Sequence, residues 1–140
     1  MPLVVLLLPV SVIGVEFGGS ECYYHLEPNS TLEVHYTHSV SLTKVVDVYR
    51  LSENGIYFTK EMWQEFLAGQ PIDFQYKQGE FYVKEANEFL GKSWSYWFIP
   101  VNNVTVLVDG NTVFVQPRKE GVLEIEVKEV PYILSIVRRC

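Results

Sequence analysis

A histidine and an aspartate nine residues apart, His38 and Asp47, are the pair in this 140-residue chain whose chemistry is most suggestive. A carboxylate beside an imidazole in an apolar setting fixes the tautomer of the ring and raises its pKa. Such an arrangement builds a general base or the orienting partner of a metal ligand. A buried pair that hydrogen-bonds only to itself is also common in protein cores. We therefore keep a functional and a structural interpretation open and favour the structural one.

Two predicted strands position this pair. Residues 31–40 and 45–52 are rich in Val, Thr and Tyr, and a polar break at 41–44 separates them, which is typical of a β-hairpin. Side chains alternate between the two faces of a strand, so the register decides which residues meet. A four-residue loop predicts one apolar face formed by the cross-strand pairs Val40–Val45, His38–Asp47, Tyr36–Tyr49 and Val34–Leu51.

The neighbourhood of the pair lacks the other parts of a catalytic centre. Ser39 points to the opposite face from His38 and has no Gly-x-Ser-x-Gly context, so it does not complete a triad. His35 and His38 also fall on opposite faces, so we do not expect them to share a metal ion. The sequence thus predicts no catalytic residue, no metal and no cofactor, and it leans away from an enzyme.

Two short motifs are formed by His38, Ser39, Val40, Thr43, Asp47, Tyr49 and Arg50, and by Phe66, Ala68, Gly69 and Pro71. With these motifs the sequence resembles a known family, the uncharacterised domain of unknown function 1850. The chain departs from the family pattern in having Asp47 where Glu is more usual, Lys44 where Pro is more usual, and Leu67 where a second Gly is more usual. The resemblance extends from about residue 10 to about residue 115.

The resemblance implies a setting and no mechanism. Members of the family are typically small exported proteins, often encoded beside tripartite transporters that use an extracytoplasmic solute receptor, and no activity is established for them. A Gly-x-Pro turn at 69–71 permits a backbone path that bulkier residues resist, and we expect it to border His38. The candidate binding site is His38, Ser39, Asp47, Tyr49, Arg50, Phe66, Gly69 and Pro71.

Turn signals at short intervals predict an all-β fold, a single-domain antiparallel β-sandwich or barrel. The predicted strands are 10–17, 22–26, 31–40, 45–52, 56–60, 72–77, 80–85, 93–99, 104–108, 112–116, 122–127 and 132–137. A short helix near 60–69 is an alternative, because Met62, Trp63 and Phe66 have helical spacing. In residues 93–99, Trp94, Tyr96 and Phe98 share one face, which indicates core packing or a surface that stacks a ligand.

The N-terminus points to export. Residues 2–15 carry no charge and are too few to cross a bilayer, so they resemble the apolar part of an export signal. We interpret residues 1–9 as a signal remnant or the start of the first strand, and residues 10–140 as a single all-β domain. Cys22 and Cys140 would form a disulfide in an oxidising compartment, and two free thiols are the alternative.

The charge distribution narrows the choice of partner. A net charge of −6, with no basic cluster beyond Arg138 and Arg139, argues against nucleic acid and against an anionic membrane surface. We therefore expect an exported or extracytoplasmic protein that binds a small-molecule solute or a membrane transporter component. The competing interpretations are a small enzyme that uses His38 and Asp47 as an acid/base pair, and a structural interaction domain. The sequence leaves the oligomeric state open.

Overall fold

A computed structural model describes residues 2–65 and 73–140, and the structural statements below concern these residues. The strands are β1 (Pro9–Phe17), β2 (Ser20–His25), β3 (Ser30–Thr37), β4 (Lys44–Ser52), β5 (Gly55–Trp63), β6 (Tyr76–Gln78), β7 (Phe81–Gly91), β8 (Ser93–Phe98), β9 (Thr105–Val108), β10 (Asn111–Val115) and β11 (Gly121–Pro131). Two short helices, α1 (Leu3–Leu7) and α2 (Tyr132–Val137), and a 3₁₀ turn at Pro100–Asn102 are the remaining regular elements described.

The strands form two antiparallel sheets that pack as a sandwich. One sheet has four strands in the order β2-β1-β11-β8, and the other has seven in the order β10-β9-β3-β4-β5-β7-β6. The described strands make up an all-β sandwich that does not close into a barrel, so the predicted fold class is confirmed in its sandwich form. No helix in the described ranges is long and apolar enough to cross a membrane.

The core lies between the inner faces of the sheets and follows the period-two pattern of the sequence. Alternate residues of β1 and β11 face alternate residues of β3 and β4 across the sandwich. Each fully buried aliphatic or aromatic side chain contributes about 1.5–3 kcal/mol relative to exposure. The principal core residues are Ile13, Val15, Phe17, Leu32, Val34, Tyr49, Leu51, Ile56, Phe98, Val106, Leu123 and Ile125.

Tight turns close the hairpins where the sequence predicts them. Gly18 and Gly19, with φ of +59° and +86°, join β1 to β2. Asp109 and Gly110, with φ of +49° and +81°, join β9 to β10. Two consecutive residues with positive φ match the right-handed twist of hairpin strands, and glycine adopts this conformation without steric cost.

The structure corrects the assignment of the last predicted strand. Residues 132–137 form α2, not a strand, because β11 pairs with β1 and that pairing ends at Pro131 opposite Pro9. Beyond this point no strand is available as a partner, so the backbone bonds to itself. The Ser135 hydroxyl donates to the carbonyl of Tyr132 at 2.6 Å within this helix.

The alternative prediction of a short helix near residues 60–69 is wrong for the part of this segment that the structure describes. Residues 59–63 continue strand β5, because β4 on one side and β7 on the other both supply hydrogen-bonding partners. Pairing with two neighbours outweighs the weak local preference for a helix. The remainder of the segment, residues 66–72, lies outside the described residues.

A disulfide ties the end of the chain to β2. Cys22 and Cys140 are bonded, with 4.9 Å between their Cα atoms and a sequence separation of 118, so the disulfide alternative is confirmed. The backbone continues this contact, since the Tyr23 N–H donates to the Arg138 carbonyl at 2.8 Å and the Cys140 N–H donates to the Tyr23 carbonyl at 2.9 Å. The disulfide and these bonds hold the segment after α2 against the edge of the four-stranded sheet.

Candidate functional site

The register between β3 and β4 differs from the predicted one. Asp47 lies opposite Val34, four residues before His38, and Tyr36 lies opposite Val45. The predicted register is therefore wrong. The observed and predicted registers differ by four residues, which is an even number, so the residues of β3 and β4 keep the faces that alternation predicts. The apolar face assigned from the sequence is correct for Val34 and Tyr36.

His38 lies in the loop that follows β3 and not in the strand. The His38 N–H donates to the Thr43 carbonyl at 2.8 Å, and the His38 carbonyl accepts from the Leu42 N–H at 2.9 Å. Leu42 takes a left-handed conformation with φ of +57°, which lets the chain reverse within this loop. On the side chain, the His38 Nδ1 accepts from the Val40 N–H at 3.2 Å. The expected cross-strand pairing of His38 with Asp47 is therefore not formed.

Asp47 instead meets a tyrosine from the opposite sheet. The Tyr96 hydroxyl on β8 donates to Oδ2 of Asp47 at 2.7 Å, and the same hydroxyl contacts the hydroxyl of Tyr49. Asp47 is 5% exposed, so its carboxyl lies almost wholly inside the sandwich. These three side chains form a buried polar chain that joins the two sheets.

A second carboxyl lies beside the first. Glu61 on β5 is directly opposite Asp47 on β4, and its side chain lies within hydrogen-bonding reach of the Asp47 carboxyl. Oδ1 of Asp47 has no conventional donor among the described residues. Two carboxyl groups in contact avoid repulsion when one of them holds a proton, which then donates to the other. The adjoining Glu61 carboxylate therefore favours the protonated form of Asp47.

Burial sets the protonation of this cluster. Loss of solvent raises the pKa of Asp47 well above its ordinary value, the charge of Glu61 raises it further, and the Tyr96 hydrogen bond partly opposes the rise. Burial also raises the pKa of the Tyr36, Tyr49 and Tyr96 hydroxyls, and the Asp47 charge adds to this effect. The three tyrosines consequently stay protonated, and the Tyr96 hydroxyl is the donor to Asp47.

A β-bulge places Glu61 on the inner face. Tyr49 pairs with Phe58 but Val48 pairs with Lys60, so Thr59 is an extra residue in β5. The Thr59 hydroxyl donates to the Val48 carbonyl at 3.0 Å and satisfies that group across the bulge. Strict alternation from Phe58 turns Glu61 outward. Glu61 therefore could not be predicted as an inner-face residue, and the site derived from the sequence lacked it.

An aromatic groove opens where β3 and β8 end. Its volume is about 280 Å³, and its lining residues are Tyr36, His38, Ser39, Tyr96, Trp97, Phe98, Ile99 and Asn102. The rings of Tyr96 and Phe98 stack with centroids 4.9 Å apart, and Tyr36 packs on Phe98 at 5.3 Å. Trp97 is 65% exposed. Tyr96 lines the groove and also donates to Asp47, so one side chain connects the open groove to the buried carboxyl.

Asn102 fixes one end of the groove. Its Oδ1 accepts from the Ile99 N–H at 2.8 Å, and its Nδ2 donates to the Thr37 carbonyl at 2.8 Å. The side chain thereby links the end of β8 to the end of β3. Sequence reasoning missed this residue, although the Pro100-Val-Asn order is a signal for a turn that begins with proline.

The remaining predicted site residues do not all join the groove. The guanidinium of Arg50 stacks 4.1 Å above the ring of Tyr57, and Arg50 borders a separate hollow of about 470 Å³. Tyr49 is buried and reaches the groove only through Tyr96. The structure thus brings His38 and Ser39 to the groove wall and Asp47 and Tyr49 behind it. The predicted site residues Phe66, Gly69 and Pro71 lie outside the described residues.

The fold and the site define an antiparallel β-sandwich protein with an aromatic groove at one end and a buried carboxyl cluster behind it. The model of the family described as Domain of unknown function (DUF1850) matches residues 32–115, and the chain belongs to this family. The match runs from β3 to β10 and includes every lining residue of the groove. No curated protein and no solved structure gives a significant match to the chain.

The site has few side chains that could act as metal ligands. Within residues 2–65 and 73–140 no group of three or more His, Cys, Asp or Glu side chains could hold a metal ion. What the groove offers is aromatic surface, the His38 imidazole and the Ser39 hydroxyl, with a protonatable carboxyl one side chain away. Aromatic area with a few polar groups at the rim suits the binding of a small molecule.

Proposed function

We propose that the protein is an exported, transporter-associated protein that binds a small solute in the aromatic groove. The observation that carries this proposal is the groove itself, which is lined by the half-buried Tyr36 and Tyr96 and by the exposed Trp97. A volume of about 280 Å³ is near the lower end for ligand pockets, so the solute is small. An exposed indole offers a flat face for stacking a ring or an apolar chain.

The polar groups of the groove suit recognition better than turnover. His38 is on the wall, whereas Asp47 is opposite Val34 and bonds to Tyr96, so the two do not form the acid/base pair that the enzyme interpretation requires. A ligand that contacts Tyr96 changes the environment of the hydroxyl that Asp47 needs. Binding in the groove is therefore coupled to the protonation of the buried carboxyl.

Two features support the proposed setting. The disulfide between Cys22 and Cys140 is the kind of bond that persists in oxidising, extracytoplasmic compartments. Membership of the family, whose members are typically exported and encoded beside tripartite transporters, supports the association with transport.

Native mass spectrometry of the purified protein, followed by calorimetric titration with small solutes, tests the binding proposal. We expect a copurifying or titrated solute whose affinity falls about tenfold or more in Trp97→Ala, since losing one aromatic contact removes on the order of 1–2 kcal/mol. Phe89→Ala is the matched control, because Phe89 is exposed and packs on Tyr57, away from the groove.

Two results would count against the proposal. Equal affinities for wild type, Trp97→Ala and Phe89→Ala would place binding elsewhere on the molecule. Catalytic turnover of a solute that disappears in His38→Ala would move the protein into the enzyme class.

A further inference from the structure

The two helices expose an unusual amount of apolar surface. α1 packs against α2, and the Tyr132 N–H donates to the Leu8 carbonyl at 2.9 Å, so the two elements form one surface. Val4 and Val137 are each 72% exposed. The large apolar side chains of this helix patch are Leu3, Val4, Val5, Leu7, Leu8, Ile133, Leu134, Ile136 and Val137. Soluble proteins rarely leave such a contiguous patch without a binding partner.

A pocket with basic groups adjoins the helix patch. It has a volume of about 390 Å³ and lies between β2 and α2. Arg139 and His25 line it together with Ile136 of the patch, and the carboxylate of Glu27 lines it as well. The His25 Nε2 lies 3.2 Å from the Ser135 hydroxyl, which fixes the imidazole against α2. Guanidinium and imidazole donors are the groups that bind a phosphate.

The charge of the chain is distributed unevenly around these features. All 17 acidic residues lie between positions 16 and 130, whereas residues 2–15 carry no charge and residues 131–140 carry only Arg138 and Arg139. The two helices of the patch therefore carry no acidic side chain of their own, and Glu27 lines the adjoining pocket. A surface with apolar side chains at its centre and arginines at its margin matches the boundary between acyl chains and phosphate headgroups.

We propose that the helix patch docks on the surface of a phospholipid bilayer. The apolar side chains of α1 and α2 enter the boundary of the acyl region, and the pocket beside α2 receives a lipid phosphate through Arg139. Arg138 lies next to Arg139 and faces neighbouring headgroups. The disulfide at Cys140 holds α2 on the sandwich, so that docking fixes the orientation of the whole protein on the membrane. This inference concerns a different surface from the groove and does not rest on the proposed function.

Flotation with vesicles tests the proposal. The disulfide-bonded chain is mixed with vesicles of phosphatidylcholine and phosphatidylglycerol at a ratio of about 3:1, and bound protein is recovered with the lipid. We expect wild type to float, and the double variant Val4→Asp/Val137→Asp to lose about tenfold or more in partitioning. The matched control is Val115→Asp/Val122→Asp, which makes the same chemical change at strand positions that are 61% and 51% exposed, and it should stay within about twofold of wild type.

A second variant separates the headgroup contact from the apolar contact. Arg138→Gln/Arg139→Gln should keep the melting temperature of wild type and lose about threefold to tenfold in binding at low salt, with a smaller loss at high salt. Wild-type protein that stays off the vesicles would overturn the proposal. So would a natively folded Val4→Asp/Val137→Asp variant that floats like wild type. If ultracentrifugation shows a dimer that this variant dissociates, and no vesicle binding occurs, the partner is a second copy and the proposal is wrong.

Discussion

Replacing Tyr96 by phenylalanine removes one hydroxyl from the centre of the buried polar chain. That hydroxyl donates to Oδ2 of Asp47 at 2.7 Å and contacts the Tyr49 hydroxyl, and the ring remains in place to pack on Phe98. A hydrogen bond to a charged group contributes about 1.5–3 kcal/mol to stability, and one to a neutral group contributes about 0.5–1.5 kcal/mol. We therefore expect Tyr96→Phe to lower the free energy of unfolding by about 1 kcal/mol when Asp47 is protonated and by about 2–3 kcal/mol when it is ionised.

The sign of the pH dependence follows from the direction of the pKa shift. Burial raises the pKa of Asp47 in the folded state above its ordinary value of 3.8, so the folded state binds the proton more tightly than the unfolded state. The stability of wild type consequently falls as pH rises from about 4 through the raised pKa. The Tyr96 hydrogen bond opposes the rise in the pKa, so its removal raises the pKa of Asp47 further and extends the fall in stability to higher pH. The loss in Tyr96→Phe should be smallest at acid pH and largest at alkaline pH.

Urea unfolding at a series of pH values from 4 to 9, with the disulfide intact, measures this difference. With an m-value of about 2 kcal/mol/M, a loss of 2 kcal/mol moves the midpoint by about 1 M. Tyr24→Phe is the control, because the Tyr24 hydroxyl accepts a hydrogen bond from the Asn111 amide at 2.9 Å and has no carboxyl partner. Its cost should be independent of pH over this range. A Tyr96→Phe loss that is equal at pH 5 and pH 8, or that stays below about 0.5 kcal/mol throughout, would show that the Tyr96 hydroxyl does not stabilise the ionised Asp47 carboxylate.

The remaining predictions concern the carboxyl and the disulfide. The amide in Asp47→Asn cannot ionise, so the free energy of unfolding of this variant should not fall with rising pH in the way that Asp47 causes in wild type. In urea titrations at pH 8 the variant should be at least as stable as wild type. Conversion of Cys22 and Cys140 to alanine should lower the free energy of unfolding by about 4–5 kcal/mol on the loop-entropy model, since the bond joins residues with a sequence separation of 118.

The Asp47 prediction and the disulfide prediction are each tested by a separate measurement. If the stability of Asp47→Asn changes with pH at the same slope as that of wild type, Asp47 is not the titrating group. The control is Asp73→Asn, which changes an exposed carboxylate that is paired with Lys84 at 3.0 Å. For the disulfide, chemical reduction of wild type should reproduce the loss seen in the alanine variant. A midpoint unchanged by reduction would contradict the expected stabilisation.

The all-β class and the inner faces of the strands could be predicted because they depend on local chemistry. Valine, threonine and tyrosine favour strands, and the pairs Gly18-Gly19 and Asp109-Gly110 favour tight turns. Register could not be predicted in the same way. A shift by an even number of residues leaves every side chain on its own face, so alternation alone cannot distinguish Asp47 opposite His38 from Asp47 opposite Val34.

The rest of the candidate site depends on contacts between distant segments. Tyr96 reaches Asp47 across the two sheets, and Glu61 reaches it only because the bulge at Thr59 reverses the alternation of β5. Neither relation is contained in the pattern of a single strand. The helical state of residues 132–137 likewise depends on where β1 begins, since Pro9 is the last residue that can pair with β11. Such features follow from the assembled sandwich and not from local sequence.

The position of β11 between β1 and β8 determines when this chain can fold during synthesis. Strand β1 is made more than 100 residues before its partner in the middle of the four-stranded sheet, Gly121–Pro131. Until then the hairpin of β1 and β2 has nothing to pair with on one edge, and the apolar side chains of Ile13 and Val15 have no complete sheet to cover them. Contacts between such distant residues form slowly, and exposed strand edges favour aggregation. The four-stranded sheet therefore closes only after β11 has left the ribosome, and until then β1 and β2 lack the strand that joins them to β8.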